Sequence, residues 1–187
     1  MEPLDIGVIV GSLRSASLNR KVYENSRALT PEGLELREIS IRGLPLYDQD
    51  FQEDPTDTVV EYWESVRQTD GILFISPEYN YSIPGLVKNA FDWASRPPNA
   101  APIAGKPAGV LGASSGRSGT MRMQLHMRQI LPALNMAVMP KPEVFIMNAA
   151  EIFDESGYLH DERIRTQLTR FYAAFEPWVR KFPKRTS

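Results

Sequence analysis

Three short segments of this chain carry side chains whose types and spacing could bind a small molecule. The first, residues 11–19 (GSLRSASLN), follows a β-branched apolar run at 6–10 and precedes a helix that Ser17 is suited to cap. The N-terminus of a helix presents free N–H groups and a partial positive charge, and therefore binds phosphate readily. The polar donors that a phosphate needs are present on Ser12, Arg14, Ser15, Ser17 and Asn19.

Two well-known phosphate-binding patterns do not match this segment. A Walker A loop needs a second glycine followed by lysine, and a dinucleotide fingerprint needs G-x-G-x-x-G; neither occurs here. The side-chain donors suit one terminal phosphomonoester better than a pyrophosphate that lies against a glycine-rich backbone. The alternative is an ordinary strand-to-helix turn with a capping serine.

The second segment, residues 77–85 (PEYNYSIPG), follows an apolar run at 72–75. Its two prolines reduce the conformational freedom of the loop, and its tyrosines and asparagine lie between them. A stiff loop with aromatic side chains and backbone donors suits a planar ring that stacks and accepts hydrogen bonds. The alternative is a structural turn whose tyrosines pack on a neighbouring element or subunit.

The third segment, residues 112–120, is rich in glycine and serine and follows the apolar run 108–113. Small residues let a ligand lie close to the backbone. The alternative is a flexible surface loop. Arg117 and Arg122 could contact a substrate's phosphate or face solvent, and His126 is expected to serve packing or an interface.

The elements that must position these segments alternate between strand-like and helix-like patterns. Strands are predicted at 6–10, 34–41, 72–75 and 108–113, and a fifth, interrupted by Pro140 and Pro142, at 137–139 and 144–146. Helices are predicted from about Ser17, over about 57–69, from Pro84 in its first turn, over about 120–134 and over about 161–181. The helix at 57–69 is expected to bury Val59, Val60, Trp63 and Val66, and prolines 97, 98 and 102 to form a stiff connection.

This alternation predicts an α/β fold, a flavodoxin-like three-layer sandwich with a five-stranded parallel sheet in the order 2-1-3-4-5. We expect one domain over residues 1–187. In such folds ligands bind beyond the carboxyl ends of the strands, where the strand order reverses. The three segments follow strands 1, 3 and 4, and we therefore expect them at one edge of the sheet.

Composition excludes several classes of protein. The 187 residues are 42% hydrophobic, which is typical of a globular protein. No apolar run approaches the ~18 residues of a membrane span, and the N-terminus lacks the features of a signal peptide, so we expect a cytoplasmic protein without membrane attachment. The chain has no cysteine and two separate histidines, which excludes disulfides and argues against a zinc site. A pI near 5.8 argues against nucleic-acid binding.

The net charge of −2 hides an uneven distribution along the chain. Residues 1–92 hold 8 basic and 16 acidic side chains, 93–142 hold 6 basic and no acidic ones, and 143–187 hold 7 of each. The acid-free window 93–142 includes the third segment and the helix after it. It could attract anionic substrates, or it could face the acidic N-terminal half of another subunit.

At the three segments the chain resembles the NADPH-dependent FMN reductase family, and within it the bacterial quinone, chromate and azo-compound reductases. The resemblance runs from about residue 5 to residue 180. It rests on the pattern of 11–19, on 77–85 together with 86–93 (LVKNAFDW), and on 105–107 (GKP) before the third segment.

The resemblance implies a flavodoxin-like fold that binds FMN noncovalently, with NADPH or NADH as hydride donor. It implies no catalytic side chain, because the chemistry belongs to the cofactor. It assigns the FMN phosphate to Ser12, Arg14, Ser17, Leu18 and Asn19. It assigns the isoalloxazine ring to Pro77, Glu78, Tyr79, Asn80 and Tyr81, and the other edge of the ring to Ser114, Ser115 and Gly116.

The expected activity is two-electron transfer from NAD(P)H to quinones, free flavin, azo compounds or metal oxyanions, with ping-pong kinetics. Family members commonly form homodimers or homotetramers. The alternative is a flavodoxin-type electron carrier without NAD(P)H turnover, although the Thr/Ser-Gly-rich phosphate loop of flavodoxins is absent. A flavin-free structural oligomer is a third interpretation. The sequence leaves the physiological acceptor, NADPH or NADH preference, and dimer or tetramer open.

Overall fold

The computed structural model describes residues 2–96 and 101–182. The strands are β1 (Leu4–Val10), β2 (Leu34–Glu38), β3 (Gly71–Ile75), β4 (Pro107–Ala113), β5 (Ala137–Val138) and β6 (Val144–Ile146). The helices are α1 (Leu18–Ser26), α2 (Asp57–Arg67), α3 (Gly85–Ala94), α4 (Met121–Ala133) and α5 (Glu162–Val179), with a short 3₁₀ helix at Gln49–Phe51.

The sheet confirms the predicted topology. Its strands are parallel, in the order β2-β1-β3-β4-β5, and β6 also pairs with β4. β5 pairs at the start of β4, where Ala137 lies opposite Pro107, and β6 pairs at its end, where Val144 lies opposite Leu111. The predicted fifth strand is therefore one interrupted strand whose two pieces follow the same neighbour.

Both faces of the sheet are covered by helices, which explains the continuous apolar runs of its central strands. On β1, Ile6 and Val8 pack into one core with side chains of α1 and α5, whereas Ile9 packs into a second core with α2, α3 and α4. The central strands β1, β3 and β4 therefore contribute alternate residues to two hydrophobic layers.

Several predicted details differ from the structure. Val60 is 47% exposed, and Tyr62 is buried instead, because positions 59, 62, 63 and 66 follow the i, i+3, i+4, i+7 spacing of one helix face. Pro84 is the N-cap of α3 and lies before its first turn. β2 ends at Glu38, although Ile39 and Ile41 are buried beyond it.

The predicted stiff connection at prolines 97 and 98 lies outside the described residues, as do the ends of the predicted domain 1–187. No helix within 2–96 and 101–182 has both the length and the apolar character to cross a membrane. The same residues contain no group of three or more acidic or histidine side chains that could hold a metal ion.

Candidate functional site

The three segments meet at one edge of the sheet. β1, β3 and β4 are neighbours and parallel, so the loops 11–17, 76–84 and 114–120 all leave from their carboxyl ends. The chain passes from β1 outward to β2 and then returns to β3 on the other side of β1. This reversal of the strand order is the position at which sheets of this type bind ligands.

Two glycines let these strand ends approach closely. A Cβ on Gly11 would lie 2.3 Å from the Ser76 Oγ, and a Cβ on Gly112 would lie 2.1 Å from the Ser76 carbonyl oxygen. The backbone N–H of Gly11 donates to Ile75, and that of Ser76 donates to Leu111, at 2.9 and 3.1 Å. The floor of the site therefore consists of glycine backbone packed against the side chain and the backbone of Ser76, without room for a Cβ at Gly11 or Gly112.

The first loop forms a group of free donors at the start of α1. Ser17 caps the helix as predicted, since its Oγ accepts the N–H of Arg20 at 3.2 Å. The backbone N–H groups of Ser12, Leu13 and 15–19 donate to no acceptor in the part of the chain that the structure describes. Seven free N–H groups next to a helix N-terminus suit an anion.

The side chains of this loop divide into two kinds. Ser12 and Ser17 are each only 3% exposed, whereas Arg14 is exposed and its guanidinium has no partner among the described residues. Leu18 is half-buried against the hydrophobic core and contributes packing. The loop thus combines buried hydroxyls with one exposed, unpaired cation, which is a donor set that fits a phosphate.

Asn19 has a contact that the sequence did not predict. It is 2% exposed, its Nδ2 donates to the Ala113 carbonyl at 3.0 Å, and its Oδ1 accepts the Ala113 N–H at 2.9 Å. The side chain therefore joins the first helical turn of α1 to the end of β4. Its role as a phosphate ligand stays a prediction, while its role in aligning two loops is visible.

The second loop is a tight two-residue turn. Tyr79 and Ser82 exchange backbone hydrogen bonds of 3.0 and 2.9 Å, and between them Asn80 and Tyr81 have positive φ angles of 50° and 65°. This is the pattern of a type I′ turn, in which Asn is common and Tyr is strained. The N–H groups of Glu78, Asn80 and Tyr81 donate to no acceptor in the described ranges, and the rings of Tyr79 and Tyr81 are exposed.

Glu78 and Arg122 form an ion pair that sequence reasoning missed. The Glu78 side chain is 7% exposed, and its Oε1 lies 2.5 Å from the Nε of Arg122. The Glu78 carboxylate therefore points into α4, away from the free N–H groups of its own loop. The two residues are 44 positions apart in the chain, and no spacing pattern in the sequence relates them.

The first half of the third loop is held by its own Ser114 and by the segment after β6. The Ser114 Oγ accepts the N–H of Gly116 at 3.0 Å, and the carbonyls of Ser114 and Gly116 accept from Ala149 and Asn148. Ser115 and Gly116 are exposed, and so is Arg117, which has no side-chain partner among the described residues. The contacts of Ser114, Ser115 and Gly116 with the isoalloxazine ring stay a prediction, and so does a contact of Arg117 with a substrate's phosphate.

Two further arginines lie beside the first loop and were not predicted. The Nη2 of Arg42 donates to the Leu13 carbonyl at 3.2 Å, which places a second guanidinium next to Arg14. Arg20, on α1, pairs with Glu38 at the end of β2, with 2.5 Å between Nη2 and Oε1. This pair raises the pKa of Arg20 and, through the hydrogen bond from Arg20, lowers the pKa of Glu38.

Comparison with known proteins agrees with this geometry. The family model described as NADPH-dependent FMN reductase matches residues 4–151. An NAD(P)H-dependent FMN reductase of Pseudomonas aeruginosa is 44% identical over 174 residues, covering 92% of this chain and 94% of the relative. A 2-hydroxy-1,4-benzoquinone reductase of a Burkholderia species is 37% identical, covering 95% of this chain and 97% of the relative.

Among solved structures, FerB from Paracoccus denitrificans, a flavoenzyme NAD(P)H:(acceptor) oxidoreductase, superimposes with a TM-score of 0.90. It is 36% identical, and the match covers 96% of this chain and 98% of FerB. The match therefore extends over nearly the whole length of both chains.

Proposed function

The chain belongs to the NADPH-dependent FMN reductase family, and we propose that it reduces quinones and related small molecules at the carboxyl edge of its sheet. Family membership makes it an oxidoreductase that uses FMN and NAD(P)H. The observation that supports this site most strongly is the set of free backbone N–H groups on the first two loops.

The first loop supplies what the FMN phosphate requires. The free N–H groups at the start of α1, the hydroxyls of Ser12 and Ser17 and the cation of Arg14 can surround a compact dianion. Arg42 adds a second cation beside Leu13. Gly11 lets the start of the loop pack closely against Ser76.

The second loop supplies what the ring requires. The N–H groups of Glu78, Asn80 and Tyr81 can donate to the polar edge of the isoalloxazine and favour negative charge there. When bound, FMN accepts a hydride from NAD(P)H and passes two electrons to the acceptor. The protein's contribution is alignment and an open ring face, which explains why the site needs no catalytic triad.

A single open face predicts ping-pong kinetics, because NAD(P)H must leave before the acceptor enters. The test varies NADPH at several fixed concentrations of a 1,4-benzoquinone, using protein reconstituted with FMN. Parallel double-reciprocal lines are expected. Intersecting lines would contradict a shared site, and reconstituted protein that keeps its colour in the presence of NADPH would support the carrier alternative.

Quinones are the favoured acceptors because relatives that match nearly the whole chain are quinone reductases. Free flavin, azo compounds and metal oxyanions are further acceptors to compare in the same assay. A kcat/KM for the benzoquinone below that for every other acceptor would overturn the preference.

The proposal includes assembly into a homodimer or homotetramer, and light scattering coupled to size-exclusion chromatography measures this oligomeric state directly.

The basic window 93–142 contains Arg117 and Arg122, the two arginines that could contact a substrate's phosphate. Arg122 is engaged by Glu78, so Arg117 is the better candidate to attract the phosphates of NADPH. An Arg117→Ala variant is expected to reduce the salt dependence of KM for NADPH.

A further inference from the structure

Helix α4 begins without a cap of its own. Its N-cap residue, Thr120, has a left-handed φ of 68° and makes no side-chain capping bond to the helix backbone. The Thr120 hydroxyl instead accepts the side-chain amide of Gln124 at 3.2 Å. The first turn of α4 therefore needs acceptors from another part of the chain.

Glu78 supplies those acceptors from the second loop. Its Oε2 accepts the backbone N–H groups of Arg122 and Met123 at 3.0 and 3.1 Å, and its Oε1 accepts the Nε of Arg122 at 2.5 Å. A carboxylate is favoured at a helix N-terminus because it meets free N–H groups and the positive end of the helix dipole. The Glu78 side chain is 7% exposed, whereas that of its partner Arg122 is 46% exposed.

Arg122 also contacts the third loop and a second residue of the second loop. Its Nη2 donates to the Ser118 Oγ at 3.0 Å, and its guanidinium lies 4.0 Å from the centre of the Tyr81 ring. The Ser82 Oγ lies 2.7 Å from the Nδ1 of His126, one turn further along α4. One helix end thus holds both the second and the third loop.

These contacts act on a turn that needs support. Asn80 and Tyr81 are consecutive non-glycine residues in the left-handed region, a conformation that persists only when its surroundings enforce it. The second loop contacts α4 through the side chains of Glu78, Tyr81 and Ser82. The free N–H groups belong to the same short stretch of backbone, at Glu78, Asn80 and Tyr81.

We infer that Glu78 is a positioning residue of the flavin site, whose carboxylate holds the ring-binding turn in register with α4. The ring contacts are made by backbone N–H groups, and the side chain acts through them. This inference rests on the proposed function, because it assigns the second loop to the isoalloxazine. It specifies how Glu78, which the resemblance assigns to the isoalloxazine ring, would contribute to the site.

The test separates ring binding from phosphate binding. FMN and riboflavin share the ring, but riboflavin lacks the phosphate. Titration by flavin fluorescence gives both dissociation constants for the wild type and for Glu78→Gln, a change that keeps size and removes charge. We expect both constants to rise by the same factor, about tenfold, the usual loss for a charged hydrogen-bonded contact, with an altered visible circular dichroism of the bound flavin.

The matched control is Glu176→Gln. Glu176 pairs with Arg180 at 2.8 Å on α5 and packs against Gly33, at the opposite edge of the sheet. The same carboxyl-to-amide change there should leave both flavin constants within twofold of wild type. The melting temperature of each apoprotein reports whether the fold is intact.

A second variant covers the case in which Glu78→Gln does not fold. Arg122→Met removes the same ion pair from the other partner and should also weaken both flavins. The double variant should be no weaker than the weaker single one, because the two residues act as a unit. If either folded variant binds FMN and riboflavin like the wild type, the inference is wrong. If the wild type binds neither flavin, the proposed function itself fails.

Discussion

The first and second loops lie side by side at the sheet edge, yet they are built in opposite ways. The loop 11–17 leaves its backbone N–H groups and the Arg14 side chain free, and it is fixed from beneath by Gly11 and from the helix by Asn19. The loop 76–84 uses the side chains of Glu78, Tyr81 and Ser82 to contact α4, and it leaves the backbone N–H groups of Glu78, Asn80 and Tyr81 free.

The difference matches the shapes of the two ends of FMN in the assignment that we propose. A phosphate is compact and charged, so donors from several directions, including an unpaired side chain, can converge on it. A planar ring needs donors held along one edge, and a strained turn fixed at several points provides them. A free side chain suits phosphate binding, whereas side chains fixed to a neighbouring helix suit ring binding.

The largest expected effect comes from adding a methyl group at Gly112, where the end of β4 packs against Ser76. In a Gly112→Ala variant the new Cβ would lie 2.1 Å from the Ser76 carbonyl oxygen, and backbone cannot retreat as a flexible side chain can. We expect the free energy of unfolding to fall by about 3 kcal/mol in urea titrations of the apoprotein. Gly116→Ala is the control, since the nearest neighbour of the added Cβ is the Ser114 Oγ at 3.5 Å. Equal stability of both variants would show that the backbone around Ser76 can accommodate the added methyl group.

The next effect separates the two loops. Arg14→Ala is expected to weaken FMN binding by about 2 kcal/mol through loss of a charge-assisted bond, and to leave riboflavin binding unchanged. Isothermal calorimetry with both flavins measures the contrast. Arg163→Ala, at an exposed position on α5, is the matched control. A loss of riboflavin affinity in Arg14→Ala would contradict the assignment of the phosphate to the first loop and of the ring to the second.

A smaller effect measures the strain in the second loop. Asn80 has a φ of 50°, so Asn80→Ala should lower the free energy of unfolding by about 1 kcal/mol. Asn80→Gly should lie within about 0.5 kcal/mol of wild type, because glycine adopts this conformation without a steric penalty. Urea unfolding distinguishes them, and an alanine variant as stable as the glycine variant would show that the turn is not strained.

The smallest effect concerns the ion pair that joins α1 to β2 near the first loop. The pKa of Glu38 is lowered in the folded state by the hydrogen bond from Arg20, so the pair stabilises the fold above the unfolded-state pKa and loses this contribution as pH falls through the folded pKa. Glu38→Gln should cost about 0.5 kcal/mol at neutral pH, since both side chains are one-third exposed.

Urea titrations of the wild type and Glu38→Gln at neutral pH and at about pH 3 provide the measurement. The stability difference should shrink on acidification. A difference of unchanged size at acid pH would show that the Glu38 charge is not what stabilises this side of the site.

Much of the fold could be predicted because its signals are local. The apolar runs of β1, β3 and β4 are continuous since both faces are buried, and Ser17 marks the start of α1 by its capping hydroxyl. The prediction was correct for Val59, Trp63 and Val66 and wrong at Val60, because Val60 directly follows Val59 and lies about 100° away from it around the helix. The positions of the three loops relative to one another followed correctly from the strand order.

Parts of the site could not be predicted because their signals are not local. Arg122 was expected to meet a phosphate or solvent, and the structure pairs it with Glu78, 44 residues earlier. Asn19 was expected to donate to a ligand, and the structure places its amide on Ala113, 94 residues later. Each partner depends on which strands are neighbours and on how far each loop extends.

The sequence by itself therefore determined the strands, the helices and the three segments between them, because hydrophobic periodicity and turn chemistry act between residues close in the chain. The fold class followed from the alternation of these elements, and the strand order from the arrangement common to such folds. The tertiary structure decided which polar side chains in those segments remain free. Hydrogen bonds act only over about 3 Å, so the choice between holding a ligand and holding a neighbouring loop is made only when the strands come together.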